Sequence, residues 1–155
     1  MNYRQNYEEL LQTQCDAYQQ MIQIITQISE CDDCLLSSSI QDTPDVNKVH
    51  EITYKKESLI QKLDTLSIHT EQSKGRIADI LYLYKDFQIH PLYLRMTKLQ
   101  EIARTELQQV IDKEDNNNPS ITNKLTQYKE KLETDIKIRE IPMEKRKIFF
   151  IYPDK

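Results

Sequence analysis

A seven-residue repeat of apolar side chains between residues 45 and 90 constrains the fold of this chain more than any other feature. Counting alternately by four and three residues from Ile52, eight of the eleven positions are apolar or aromatic, where a hydrophobic fraction of 38% would give about four. A helix over this stretch would be about 65 Å long, too long for a compact globule of 155 residues. The repeat therefore predicts an elongated molecule whose helices pack along a seam. The apolar members are Ile52, Leu59, Leu63, Leu66, Ile77, Ile80, Tyr84 and Phe87.

The same repeat occurs near the start of the chain, where Gln14 is its only polar member. A second apolar row beside it widens the stripe enough to touch two neighbouring helices, which favours a bundle. After Glu30 the repeat fails, and a Cys-Asp-Asp-Cys sequence followed by three serines and Pro44 predicts a loop or frayed turn. The first repeat comprises Tyr3, Tyr7, Leu10, Gln14, Ala17, Met21, Ile24 and Ile28, and the second row Leu11, Tyr18, Ile22 and Ile25.

Prolines and capping residues set the remaining helix boundaries. Asp45 can accept hydrogen bonds from the first turn of the second helix. Gly75 is a weak point inside that helix, but the repeat keeps its phase across it, so we expect no break. Pro91 disfavours helical geometry at the residue before it, and Pro119 suits the first position of a helix that follows an asparagine-rich break. The predicted helices cover residues 2 to 30, 45 to 90, 92 to 114 and 119 to 140.

These patterns predict an all-α fold, namely an elongated antiparallel bundle of three to four long helices with coiled-coil-like packing. A single glycine, five prolines and 30% charged residues agree with few tight turns and many exposed helical faces. We expect one helical domain over residues 1 to 141 and a separate tail over residues 142 to 155.

The net charge of −4 is unevenly distributed. Residues 1 to 45 carry one basic and eight acidic side chains, whereas residues 119 to 155 carry nine basic and six acidic ones. This asymmetry favours packing of the first helix near the C-terminal region and disfavours nucleic acid as the main ligand. The absence of a long apolar run or a signal-peptide core predicts a cytoplasmic protein without membrane insertion. Three cysteines also fit a reducing compartment.

No residue pattern predicts catalysis, a metal or a cofactor. Cys31 and Cys34 have a metal-like spacing, but no second pair supplies the other ligands of zinc, so exposed loop cysteines are the simpler interpretation. The three histidines are far apart in the sequence. With Gly75 as the sole glycine, a glycine-rich phosphate loop is excluded. We therefore expect a protein that is not an enzyme.

The tail is basic and then aromatic, with Phe149, Phe150 and Tyr152 after three consecutive basic residues. One interpretation is a strap that packs onto the bundle, because aromatic clusters of this size are uncommon on soluble surfaces. The other is a docking peptide that a partner buries. The sequence leaves both open.

A lysine-acid-x-leucine-isoleucine-x-x-leucine pattern lies early in the second predicted helix. Together with the acidic loop before it and the long helices on either side, it resembles the flagellar export chaperones of the FlgN type. The pattern falls on Lys56, Glu57, Leu59, Ile60, Leu63 and Leu66.

The resemblance implies a protein that binds the helical terminal segments of hook-filament junction proteins and delivers them to the export apparatus. A partner helix would lay its apolar stripe into a groove between two helices. The fourth helix is then the expected groove, with the third helix as a further candidate, and the tail is another candidate contact for a partner or for components of the export gate. The alternative is a structural or adaptor coiled-coil protein that forms a homodimer through the long helix. The candidate partner-binding residues are Leu125, Tyr128, Leu132, Ile136, Phe149, Phe150 and Tyr152.

Overall fold

The computed structural model describes residues 3–40, 45–84, 86, 90–114 and 119–133. These residues form four helices that pack against one another, which confirms the predicted all-α helical bundle. At 1.5 Å per residue, each of the two longest helices extends for about 57 Å. The helices are α1 (Tyr3–Ile40), α2 (Val46–Leu83), α3 (Pro91–Glu114) and α4 (Pro119–Glu133).

Consecutive helices run in opposite directions, but the bundle is not arranged in sequence order. α1 packs against α2 and α3, whereas α4 packs against α3 and, over a smaller area, α2. Glu8 contacts His90 at one end of the bundle and Asp33 contacts Lys113 at the other, so α1 and α3 lie side by side and parallel. α2 and α3 are therefore diagonal to each other.

The core follows the seam that the seven-residue repeats predict, but it does not include every repeat member. Leu10, Ile24, Ile52, Leu66 and Ile80 are only partly buried. Long apolar side chains from all four helices are almost completely removed from water. Burying each such side chain stabilises the fold by roughly 1.5–3 kcal/mol. The largest fully buried residues are Tyr7, Leu11, Tyr18, Met21, Ile25, Ile28, Leu63, Ile77, Leu81, Met96, Leu107 and Leu125.

α1 continues ten residues beyond its predicted end, so the loop expected after Glu30 is wrong over this length. The segment contains no glycine or proline, and two of its polar residues have partners on other helices. Asp32 contacts Lys56 of α2 and Asp33 contacts Lys113 of α3, while Cys31 and Ser38 are buried. Tertiary contacts thus hold a stretch in the helix whose local composition favours a turn.

α2 is continuous through Gly75, as predicted, but ends at Leu83 instead of residue 90. The Tyr84 N–H closes the helix by donating to the Ile80 carbonyl at 2.8 Å. The α3 helix then begins at Pro91, where a proline suits the first position. The His90 Nδ1 atom accepts from the Leu92 N–H at 3.1 Å and so caps α3.

The predicted extension of α4 to residue 140 and the tail over residues 142 to 155 lie outside the described residues. Within the described ranges, none of the helices combines the length and the apolar character that a membrane crossing needs.

Candidate functional site

The predicted groove on α4 faces the interior of the protein's own bundle. Leu125, Tyr128 and Leu132 are each at most 3% exposed. The Tyr128 hydroxyl donates to Asp64 Oδ1 of α2 at 3.0 Å, which fixes the ring against that helix. These three side chains therefore serve as core residues in this structure. The other predicted contacts, Ile136, Phe149, Phe150 and Tyr152, lie outside the described residues.

Two polar side chains hold the C-terminal end of α4 in place. Gln100 Nε2 of α3 donates to the Leu132 carbonyl at 2.7 Å. Lys74 Nζ of α2 donates to the Lys131 carbonyl from the opposite side. Because the last carbonyls of a helix lack partners within it, these two bonds anchor α4 between α2 and α3.

The residues that carry the family resemblance also belong mainly to the core. Leu59, Ile60 and Leu63 are buried and Leu66 is half-buried, whereas Glu57 is exposed. The pattern therefore mainly explains how α2 packs.

Lys56, the charged member of the α2 repeat, joins three helices through a buried ion cluster. Its Nζ lies 2.7 Å from Asp32 Oδ1 of α1 and also contacts Glu114 of α3. All three side chains are at most 11% exposed. One buried cation thus faces two carboxylates, and such a cluster is tolerated only when its members remain paired.

The cluster changes the acidity of its members. Burial raises the pKa of Glu114 above its ordinary value, hydrogen bonding with Asp32 raises it further, and Lys56 opposes both effects. Burial lowers the pKa of Lys56, but its hydrogen bonds to Asp32 and Glu114 outweigh this and leave the pKa raised. The cluster therefore favours a charged Lys56 and binds a proton on Glu114 more tightly than a free glutamate side chain would.

The histidines and cysteines occupy separate places. His90 Nε2 lies 3.0 Å from Glu8 Oε1, while His50 and His69 are exposed on α2. Cys31 is buried, and burial raises the pKa of its thiol; Cys34 is exposed one helical turn later. Across the described part of the chain, no three His, Cys, Asp or Glu side chains are grouped closely enough to hold a metal ion.

A surface that the sequence analysis did not identify runs along the contact between α1 and α2. We call it the outer groove. Apart from Leu59, which is buried, its floor consists of apolar side chains that are partly exposed. From Ile52 to Ile80 this floor extends over about 42 Å of helix, with the polar Ser73 as an interruption. The floor residues are Leu10, Ala17 and Ile24 of α1 and Ile52, Leu59, Leu66 and Ile80 of α2.

The two rims of the outer groove differ in charge. Side chains spaced by seven residues lie on one face of a helix that follows the seam. On α2 this spacing gives an exposed basic row, and on α1 it gives an uncharged polar row. The basic row is Lys48, Lys55, Lys62, His69 and Arg76, and the polar row is Asn6, Thr13, Gln20 and Gln27.

Each end of the outer groove widens into an open hollow. The hollow of about 640 Å³ near the start of α2 has Lys48, Lys55 and Lys62 with one acid, Glu51, in its lining. We call this hollow the basic end. The other hollow, of about 500 Å³, has Arg76 with Glu9 and Asp79. Positive charge is therefore concentrated at the basic end.

The seven-residue spacing of the basic row is visible in the sequence. The apolar repeat does not point to this basic row, and only the fold shows that α1 lies beside it with an uncharged rim. Comparison with other proteins adds no assignment, since no family model, curated protein or solved structure matches the chain.

Proposed function

We propose that this protein binds a helical segment of a protein partner in its outer groove. The specific role that we propose is a cytoplasmic flagellar secretion chaperone, which holds the helical terminal segments of hook-filament junction proteins and delivers them to the export apparatus. The binding role rests on the groove, and the flagellar role rests on the resemblance of the α2 sequence to chaperones of the FlgN type.

The observation that carries the binding role is the partly exposed apolar floor between α1 and α2. Partly exposed apolar side chains that lie in a row on a surface gain stability when another apolar surface covers them. A groove between two helices with an apolar floor can accept an amphipathic helix, which inserts an apolar side chain at every third or fourth residue. Tyr54, at the basic end, is 76% exposed and offers a ring that a partner can cover.

The buried position of Leu125, Tyr128 and Leu132 moves the proposed contact away from α4. A partner that used these residues would have to displace α4 and break its anchors at Gln100 and Lys74. Binding at the outer groove needs no such rearrangement. The proposed chaperone therefore holds its partner on the opposite pair of helices from the one that the sequence indicated.

Mixing the purified chain with a hook-filament junction protein tests the flagellar role. We expect size-exclusion chromatography with light scattering to show a one-to-one complex, and a junction protein without its terminal helices to remain free. A stable homodimer that does not bind the junction protein would contradict the chaperone role and favour a coiled-coil scaffold.

A further inference from the structure

We propose that the basic end of the outer groove selects partner helices that carry carboxylates along one edge of an apolar stripe. This inference deepens the proposed binding role by naming the chemistry of the segment that is bound. It rests on the outer groove being the binding surface, but it does not depend on the partner being a flagellar protein.

The first argument is the arrangement of charge. Lys48, Lys55 and Lys62 are all exposed and follow one another at intervals of seven residues, or about 10.5 Å along the α2 helix. In the described part of the chain, none of the three is within ion-pair distance of a carboxylate. A helix with acidic residues at the same interval would bring one carboxylate beside each lysine when it lies along the groove.

The second argument is the asymmetry of the rims. The α1 rim opposite the lysines carries Gln20 and Gln27, which have no charge. A partner helix therefore gains ion pairs on its α2 side only and needs no charge on its α1 side. Charges at the rim of an interface fix orientation and raise the association rate more than they raise affinity. The groove thus favours one orientation of an amphipathic helix about its own axis.

Other occupants match the basic end less well. Residues 134 to 155 of this chain carry six basic and four acidic side chains. Their net positive charge disfavours binding beside the lysines of the basic end. A second copy could present the acidic residues Glu9, Asp16 and Glu30 of α1, but polar side chains flank them. That face has no apolar stripe to cover Ile52 and Leu59. An acidic amphipathic helix of another protein satisfies both the charge and the floor.

Synthetic helices of three seven-residue repeats, roughly 21 residues long, provide the test. The three peptides share a leucine stripe and differ along one edge, where they carry glutamate, glutamine or lysine. Binding of fluorescently labelled peptides to the full chain is followed by anisotropy. We expect the glutamate peptide to bind about tenfold more tightly than the glutamine peptide and the lysine peptide to bind most weakly. The preference should shrink as salt rises from about 0.05 to 0.5 M.

Charge reversal on the protein locates the site. We expect the double variant Lys55→Glu and Lys62→Glu to bind the glutamate peptide about tenfold more weakly than the native protein does, and to bind the lysine peptide more tightly. The matched control is Lys98→Glu, which reverses an exposed charge on α3 and should leave both peptides unaffected. Circular dichroism of each variant verifies that the bundle is folded.

Several results would overturn the inference. One is equal binding of the glutamate and glutamine peptides, and another is an unchanged affinity of the double variant. Light scattering that shows self-association abolished by the double variant would assign the basic end to a second copy. The native protein could also bind phosphatidylserine vesicles or a single-stranded oligonucleotide while none of the peptides binds. If the double variant abolished that binding, the basic end would be assigned to a polyanion. A junction-protein complex that survives the double variant would retain the proposed function while refuting this inference.

Discussion

At the scale of single residues, the Lys56 position explains why a polar side chain occupies a repeat that is otherwise apolar. A lysine in the seam would be costly if it were alone, because burial disfavours its charge. Its contacts with Asp32 and Glu114 compensate, and they connect α1, α2 and α3 at one end of the bundle. Gln14 fills its repeat position in a similar way, donating to the Tyr18 hydroxyl at 2.9 Å and to the Thr70 carbonyl at 3.0 Å.

Replacing Lys56 by alanine should destabilise the protein strongly. The substitution leaves Asp32 and Glu114 buried without a cation, and removing one partner of a buried ion pair typically costs about 3–5 kcal/mol. Urea unfolding followed by circular dichroism measures the free energy of unfolding. The control is Lys55→Ala at the exposed neighbouring position, which should change that free energy by less than about 0.5 kcal/mol. Equal stability of the two variants would show that the cluster has no structural role.

The Glu114 carboxyl predicts a pH dependence of stability. Its pKa is raised above the ordinary value of 4.5 in the folded protein, so the folded state binds this proton more tightly than the unfolded state. The resulting stabilisation is fully present below about pH 4.5 and is lost as the pH rises through the folded-state pKa. Glutamine does not ionise, so the Glu114→Gln variant should not lose this stabilisation as the pH rises. We expect its free energy of unfolding to increase relative to that of the native protein between pH 4.5 and neutral pH. Urea unfolding across this range measures the effect, and parallel pH profiles for the two proteins would contradict it.

At the scale of the helices, local signals set some boundaries and tertiary contacts set others. The start of α2 follows its local signal, since the Asp45 side chain accepts from the N–H groups of Asn47 and Lys48 at 3.1 and 3.3 Å. The end of α1 does not, because Asp32 and Asp33 contact two other helices and Cys31 and Ser38 are buried. Gly75 shows that a residue of low helix propensity is tolerated where the helix on either side is well packed.

Replacing Gly75 by alanine should stabilise α2. No neighbouring atom lies within 4 Å of the position that a β-carbon would take, so the methyl group meets no obstacle. Alanine is preferred to glycine inside a helix by about 1 kcal/mol, which corresponds to a rise in Tm of roughly 2–4 °C for a chain of this size. Differential scanning calorimetry measures it. Gln72→Ala on the exposed face of α2 is the control and should change Tm little. An unchanged or lower Tm for the Gly75 variant would show that the glycine has a function of its own.

At the scale of the whole molecule, the arrangement of the helices determines which apolar surfaces are filled from within. α4 packs against α2 and α3 and buries its apolar stripe there, whereas the outer groove between α1 and α2 is lined by those two helices alone. The proposed contact with a partner therefore lies in the outer groove and not on α4, where the sequence indicated it.

Replacing Leu125 by alanine should distinguish a core residue from a partner contact. Because Leu125 is completely buried, we expect the free energy of unfolding to fall by about 2–5 kcal/mol. The exposed neighbour Gln127→Ala serves as the control and should leave it nearly unchanged. If Leu125→Ala lowered partner affinity while the free energy of unfolding stayed constant, α4 and not the outer groove would be the binding surface.

The sequence alone determined the fold class and the side of each helix on which the core lies. A seven-residue apolar repeat has one geometric solution, a helix with one buried stripe. Only part of each repeat lies in the core of the described bundle, since Tyr7, Met21 and Leu63 are buried whereas Leu10, Ile24 and Ile52 are partly exposed. What only the tertiary structure decided is which helix faces which. The sequence of the apolar repeat on α4 does not tell whether α2 and α3 or another protein covers its stripe. Likewise, the basic row on α2 can be recognised as the rim of a groove only from the structure, which places α1 beside it. The charge and exposure of a groove depend on both of its rims.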